Sequence, residues 1–133
     1  MKILFRKWKW RPGFSEEQLR LHQRVEDAVN RWVEQKGYTK PLPSLESLAA
    51  DIGVPPDQLS IYIRTRARKS VLGWRKALRI REAQQLLLDY PDVPISVIGE
   101  MVGIDDKTNF KRQFEQLVGM TPRAWREKRL RRA

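Results

Sequence analysis

The chain has 133 residues, with 27 Lys and Arg against 16 Asp and Glu and a formal net charge of +11. That length supports one domain or two very small ones with modest cores. The charge points to a polyanionic partner, nucleic acid first and an anionic membrane surface second. With no cysteine and a single histidine, His22, disulfides and thiolate nucleophiles are excluded, and metal centres and His-based catalysis nearly so. No run approaches the roughly 20 apolar residues of a membrane-spanning helix.

Residues 1–14 form a basic arm with Lys2, Arg6, Lys7, Lys9 and Arg11 and no acid, closed by Pro12 and Gly13. Trp8 and Trp10 alternate with these cations. They fit a minor-groove arm, an interfacial membrane anchor, a join to an upstream domain, or a plain tail. A helix follows. Ser15 with Gln18 makes a capping box, Glu16 and Glu17 suit the positive end of the helix dipole, and Leu21, Val25, Ala28, Val29 and Trp32 supply a buried stripe. The stripe reaches to about Lys36, where Gly37 is expected to end the helix, and His22 reads as a solvated helical residue. Pro41 and Pro43 make a stiff connection, Ser44 caps a short helix, and Pro55-Pro56 opens another. A long helix over 71–89 uses Leu72, Ala77, Leu78, Ala83, Leu86 and Leu87 as apolar positions, and Pro91 and Pro94 then interrupt the chain. Gly119 stops a later helix, Thr121 caps the last one and Pro122 begins it, leading through Trp125 to Arg129, Arg131 and Arg132. Trp32, Trp74 and Trp125 sit among aliphatic residues at helical spacing and read as core anchors.

One pattern occurs twice. Leu45, Leu48, Ala49, Ile52, Gly53 and Val54 recur 50 positions later as Ile95, Ile98, Gly99, Val102, Gly103 and Ile104. Each copy is a short helix broken by glycine, and each is followed by a second helix anchored by Leu59 and Ile63 or by Phe110 and Phe114. Helix, tight turn, helix is the arrangement that places its second helix in the DNA major groove. A small residue, Ala49 or Gly99, lets the two helices cross closely, and Gly53 or Gly103 takes the left-handed conformation that reverses the chain. Bulk at any of these four positions is expected to prise the helices apart. A single copy would fit an ordinary packed helix pair; two copies with the basic charge favour DNA. They predict contact with two successive major-groove segments about 34 Å apart.

The second recognition helix is expected to start near Asp105 or Asp106. With Phe110 and Phe114 inward, Lys107, Thr108, Lys111 and Arg112 can share its outer face. Arg112 is the leading base reader, its planar fork matching guanine O6 and N7. Asn109 fits adenine if its side chain is not buried, and Lys107 and Lys111 reach bases or phosphates. On the first recognition helix the exposed candidates are Gln58, Ser60, Ile61 and Arg64, with Ile61 suited to a thymine methyl and Arg64 to a phosphate. Asp57 near its start fits a cap. Arg66, Arg68 and Lys69 form a cluster that can grip the DNA backbone. For both helices a solvated basic face is the alternative.

These residues resemble the DNA-binding domains of AraC/XylS-type transcription regulators. The resemblance is carried by Ile98-Gly99, Val102-Gly103-Ile104, Asp106, Thr108, Phe110, Arg112, Phe114, Gly119-Met120-Thr121-Pro122 and Trp125-Arg126. Upstream, Trp74, Leu78, Arg79, Arg81, Ala83 and Leu86-Leu87 are similar to the family's linker helix, so the likeness covers residues 15–128. Three positions depart from the pattern: Ile104 replaces a phenylalanine, Glu115 a common lysine and Ile61 a frequent arginine. Ile104 should keep the packing role, Glu115 should weaken a nearby phosphate contact, and Ile61 weakens the case for base reading by the first copy.

The resemblance implies an all-α fold of about seven helices, with two helix-turn-helix subdomains joined by a long linker helix. The expected division is an arm or linker remnant at 1–14, the first subdomain at 15–70, the linker helix at 71–90, and the second subdomain with the basic tail at 91–133. The expected function is sequence-specific binding of double-stranded DNA in transcription regulation, in the cytoplasm, with no enzymatic activity, metal or cofactor. RNA polymerase and an upstream sensory or dimerising domain are the further partners it suggests. The chain then reads as a compact stand-alone regulator or, preferentially, the C-terminal portion of a longer protein. The rival reading is a basic module that meets a protein or membrane surface without reading bases.

Overall fold

A computed structural model of the chain describes residues 15–132, so the basic arm with Trp8 and Trp10 lies outside the described residues. Among the described residues there are seven α-helices and no strand: α1 (Glu16–Glu34), α2 (Leu45–Ile52), α3 (Pro56–Ala67), α4 (Val71–Asp89), α5 (Ile95–Met101), α6 (Lys107–Val118) and α7 (Pro122–Arg132). A 3₁₀ turn at Gly37–Thr39 lies between α1 and α2. The all-helical architecture with two helix-turn-helix motifs is the one the sequence pattern predicts.

The helix starts follow from local chemistry. Ser15 Oγ accepts from the Gln18 N–H at 3.1 Å, while the Ser15 N–H donates to Gln18 Oε1 at 2.8 Å. Ser44 and Ser47 repeat the reciprocal pair at α2. Pro56 opens α3 and Pro122 opens α7, where a missing N–H costs nothing because no acceptor waits for it. The end of α1 differs from expectation. The left-handed residue there is Lys36, at φ 57°, rather than Gly37. Gly37 has a different reason to be small, since a Cβ on it would run into the Trp32 indole.

The chain divides into two compact units, one holding the described residues up to Gly37 with Leu42–Trp74, the other Tyr38–Pro41 with everything from Arg75 onward. The division falls inside α4, whose first turn belongs to the first unit. In that unit α1, α2 and α3 close over Val29, Leu48, Ala49, Leu59 and Ile63, all fully buried. Trp74 is also fully buried and stacks on Trp32, with ring centroids 5.6 Å apart. Trp32 Nε1 donates to Asp51 Oδ2 at 2.8 Å, so the indole's one donor is satisfied at the rim. Leu72 is not a core position: it is 40% exposed, and Val71 and Trp74 take the buried places of the first turn.

The first unit also buries a charge pair. Glu26, on the apolar stripe of α1, meets Arg66 of α3, whose Nη2 donates to Glu26 Oε1 at 3.0 Å. Tyr62 joins them. Burial first, then the Glu26 carboxylate, pushes its phenol well above the ordinary value, with Arg66 opposing.

In the second unit Ile80, Ala83 and Leu87 of α4 pack with Ile98, Val102, Ile104, Phe110, Phe114 and Trp125. The three aromatic rings meet edge to face, Phe110 on Phe114 at 6.0 Å and Phe114 on Trp125 at 6.1 Å. Ile104 is 4% exposed, an aliphatic side chain filling a core place. Two arginines fasten loops to this core through carbonyls. Arg79, itself buried, donates to Tyr38 O at 2.5 Å and Lys40 O at 2.7 Å. Arg126 donates to Leu87 O in the last turn of α4 and to Val93 O, both at 3.0 Å, and to Tyr90 O at 3.2 Å, which ties the 90–93 loop to the end of that helix. Burial pulls the Arg79 guanidinium down to about 10, with Arg75 adding to the shift and Asp105 opposing it.

Candidate nucleic-acid interface

Each helix-turn-helix is built around the same backbone contact. Ala49 O accepts from the Val54 N–H at 3.0 Å, and fifty positions on Gly99 O accepts from the Ile104 N–H at 2.8 Å. Between them the turn glycines are left-handed, Gly53 at φ 93° and Gly103 at φ 90°. An L side chain pays a steric penalty in that region, so glycine is the residue for the place. The steric reasons differ between copies. A Cβ on Gly53 would meet nothing within 4 Å, so the expectation that bulk there prises helices apart does not hold; only the backbone conformation matters. At Gly99 a Cβ would lie 2.9 Å from Phe110 Cγ and 3.0 Å from Ile104 O, which shows how closely α6 crosses α5. At Gly103 a Cβ would strike the Thr39 carbonyl and sit 3.1 Å from Arg79 Nη2.

Helix α6 starts where Asp106 caps it, its carboxylate accepting from the Asn109 N–H at 2.8 Å. Phe110 and Phe114 hold the inner face at 1% and 0% exposure. At 100° per residue the direction opposite them is that of Arg112, with Thr108 one turn before it and Gln116 one turn after, and all three are exposed. Gln116 is an outward-facing residue that sequence reasoning passed over, although its i+4 spacing from Arg112 marks it. Lys107 and Lys111, also exposed, lie on the flank of α6 nearer its buried face. Asn109 is half-buried, and its Oδ1 accepts from Arg112 Nη2 at 2.6 Å. Asn109 therefore holds Arg112, and its amide oxygen is occupied.

Helix α3 presents Asp57, Ile61, Arg64, Thr65 and Arg68 outward, with Lys69 just beyond its end. Ile61 is 56% exposed, a large apolar side chain at the centre of that face. Thr65, one turn after it and exposed, was also passed over, although its i+4 spacing from Ile61 marks it in the same way. Ser60 is half-buried, and Gln58 turns its Oε1 into a buried position. Arg66 is a correction: its guanidinium sits in the pair with Glu26 and so does not belong with Arg64, Arg68 and Lys69 in a surface cluster. Arg68 and Lys69 are exposed, with Arg68 left-handed at φ 54° as the C-cap of α3. At the other end of the chain Arg129 lies over the Trp125 ring, 5.2 Å from its centroid.

Three kinds of chemistry follow. Arg112 offers a bidentate donor fork, Thr108 and Gln116 short and long polar contacts, and Ile61 an apolar one. Around them lie cations that suit phosphate. Among the described residues, no group of three or more His, Asp and Glu side chains is placed to hold a metal ion, and no helix is long and apolar enough to cross a membrane.

Comparison with known proteins places this arrangement. A family model described as a helix-turn-helix domain matches residues 48–128. The arabinose operon regulatory protein of Salmonella typhimurium is 37% identical over 82 residues, covering 62% of this chain and 29% of that protein. The chain thus spans under a third of the length of this curated relative. The C-terminal domain of AraT, a response regulator from Geobacillus stearothermophilus, is 30% identical over 82% of this chain and 88% of its own, with a TM-score of 0.69. The DNA-binding domain of the transcriptional factor AdpA, solved with a target DNA, shares the fold at a TM-score of 0.69 and 20% identity, over 81% of this chain and 94% of its own. The helix-turn-helix occurs twice and the match runs from within the first copy to beyond the second, so the chain belongs to the AraC-type helix-turn-helix domain family.

Proposed function

We propose that this chain binds double-stranded DNA in a sequence-specific way and thereby regulates transcription, with α6 as the principal reading helix and α3 as the weaker one. The observation that carries this reading is the outer face of α6. Arg112 is exposed, pre-oriented by Asn109, and directly opposite the two buried phenylalanines that fix the helix to its unit. Arg112 and Thr108 take the base edges, and Gln116 extends the row. On α3, Ile61 contacts a thymine methyl and Ser60 lies at the edge of the contact, while Arg64, Arg68 and Lys69 neutralise phosphates. The weaker part given to α3 follows from Ile61, which can discriminate a methyl but offers no bidentate hydrogen bonding.

The names of the relatives support the same role, since one is an operon regulator and one structural neighbour was solved on its target DNA. RNA polymerase as a further partner, an upstream sensory or dimerising domain, a cytoplasmic location and the lack of enzymatic activity belong to this reading as its finer parts. The test is selection from a random duplex library. The reading expects a reproducible enriched sequence, bound more tightly than a scrambled duplex at the same salt. Binding without any enriched sequence would instead support a basic surface that meets nucleic acid, protein or lipid non-specifically.

A further inference from the structure

Beside the reading face of α6 lies a cleft of about 380 Å³ within the second unit. Phe110 contributes to its wall, and around it stand Lys107 and Lys111 of α6, Arg123 of α7, and the hydroxyls of Ser96 and Thr121. No carboxylate lines it, and among the described residues none forms a salt bridge with any of the three cations. Thr121 Oγ1 already accepts from the Ala124 N–H at 3.1 Å, which leaves its hydroxyl proton free to donate outward. Three cationic residues from two helices thus border one concavity, together with two hydroxyls, the apolar side chains of Ile95, Phe110 and Pro122, and no carboxylate.

We infer that this cleft seats a single phosphate of the DNA backbone, held jointly by Lys107, Lys111 and Arg123, and that the two lysines do not read bases. The inference rests on the DNA-binding reading above and divides the labour on α6. Positions 107 and 111 are one turn apart on the flank of the helix, so both can close on one anion while Thr108 and Arg112 stay directed at the groove floor.

The experiment measures the salt dependence of binding to the selected duplex for the intact chain, for the three single Lys107→Gln, Lys111→Gln and Arg123→Gln variants, and for the triple variant. All three side chains are exposed, and circular dichroism verifies the fold of each variant. One shared phosphate predicts that the triple variant loses about 0.9 from the log-log salt slope, with affinity falling by the same factor on selected and unrelated duplexes and base preference unchanged. A loss of about 1.8 or more would mean separate phosphates and overturn the single seat. An unchanged slope, or a changed base preference at any position, would also overturn it. A neutral methylphosphonate moved along the duplex backbone locates the contact: at one position the intact chain should lose what the triple variant has already lost, and no such position would refute the seat. An intact chain that binds no duplex would sink the underlying DNA reading, a result distinct from steep binding that the triple variant retains.

Discussion

Gly53 and Gly103 occupy equivalent places in the repeat and have nearly the same backbone angles, yet the structure predicts different costs for the same change. In Gly53→Ala the new methyl meets nothing within 4 Å, so the cost is the left-handed conformation alone, about 1 kcal/mol. In Gly103→Ala the same backbone cost applies, and the methyl also collides with the Thr39 carbonyl and crowds Arg79 Nη2. The 38–40 segment must then move, which disturbs the bonds from Arg79 to Tyr38 O and Lys40 O. A hydrogen bond from a charged group contributes about 1.5 to 3 kcal/mol, so losing one of them brings the total to roughly 2.5 to 4 kcal/mol. Urea unfolding followed by circular dichroism, with amide exchange to assign the loss to one unit, measures both variants. Equal destabilisation by the two, or a larger loss for Gly53→Ala, would refute the argument that the second turn is locked from outside by the 38–40 segment.

Arg112→Ala should leave the fold intact and cost about 1 to 3 kcal/mol of discrimination at one base position, read by competition between duplexes that differ at that position. Asn109→Ala should weaken the same preference by a smaller amount, because it frees the guanidinium without removing it; loss of preference at a different position would show that Asn109 reads a base itself. Glu26→Ala should destabilise the first unit by about 3 kcal/mol by removing the carboxylate that faces the largely buried Arg66 guanidinium, whereas Glu26→Leu with Arg66→Met should come close to the parent in urea unfolding. Tyr38 is pushed up to about 12, first by burial and then by Glu82, with Arg81 opposing, and Tyr62 moves in the same direction. The folded chain thus holds those protons more tightly than the unfolded chain, whose phenols titrate near 10. Stability should be unaffected by them below that value and fall as pH rises from about 10 to 12, measured by unfolding across that range with phenolate absorbance as the monitor.

Much of the fold was legible because its signals are local. Capping serines, prolines at first helical positions and the left-handed glycines each act within four residues of themselves, and α4 stops at Asp89, two residues before Pro91. Features that depend on contacts distant in sequence were not. Arg66 reads as one of a surface cluster with Arg68 and Lys69, and its partner Glu26 lies 40 residues earlier. A hint existed, since Glu26 interrupts the apolar stripe between Val25 and Val29, and a carboxylate on a buried face demands a cation. Gly37 reads as a helix stop, but it is small because of the Trp32 ring, a packing constraint with no local signature. Arg79 lies between Leu78 and Ile80 and looks like a linker-helix cation, while the carbonyls it serves come from a loop some forty residues upstream. On α6 the charged positions were legible, but their division between flank and outer face was not. That division needs the inward direction to be fixed by Phe110 and Phe114 together, and the neighbouring Arg123 to be placed by a separate helix.

If α6 and α3 both reach DNA, with α6 carrying most of the recognition, hydroxyl-radical footprinting on the selected duplex will show it, run for the intact chain and for Arg112→Ala and Ile61→Ala. Two separate protected segments are expected in the intact complex. Arg112→Ala should weaken protection within one of them and lose the preference at a single base position there, and Ile61→Ala should produce a weaker effect confined to the other. Protection of a single segment unaffected by Ile61→Ala would make the first copy structural, and protection that is the same on every duplex and indifferent to Arg112 would contradict base reading altogether.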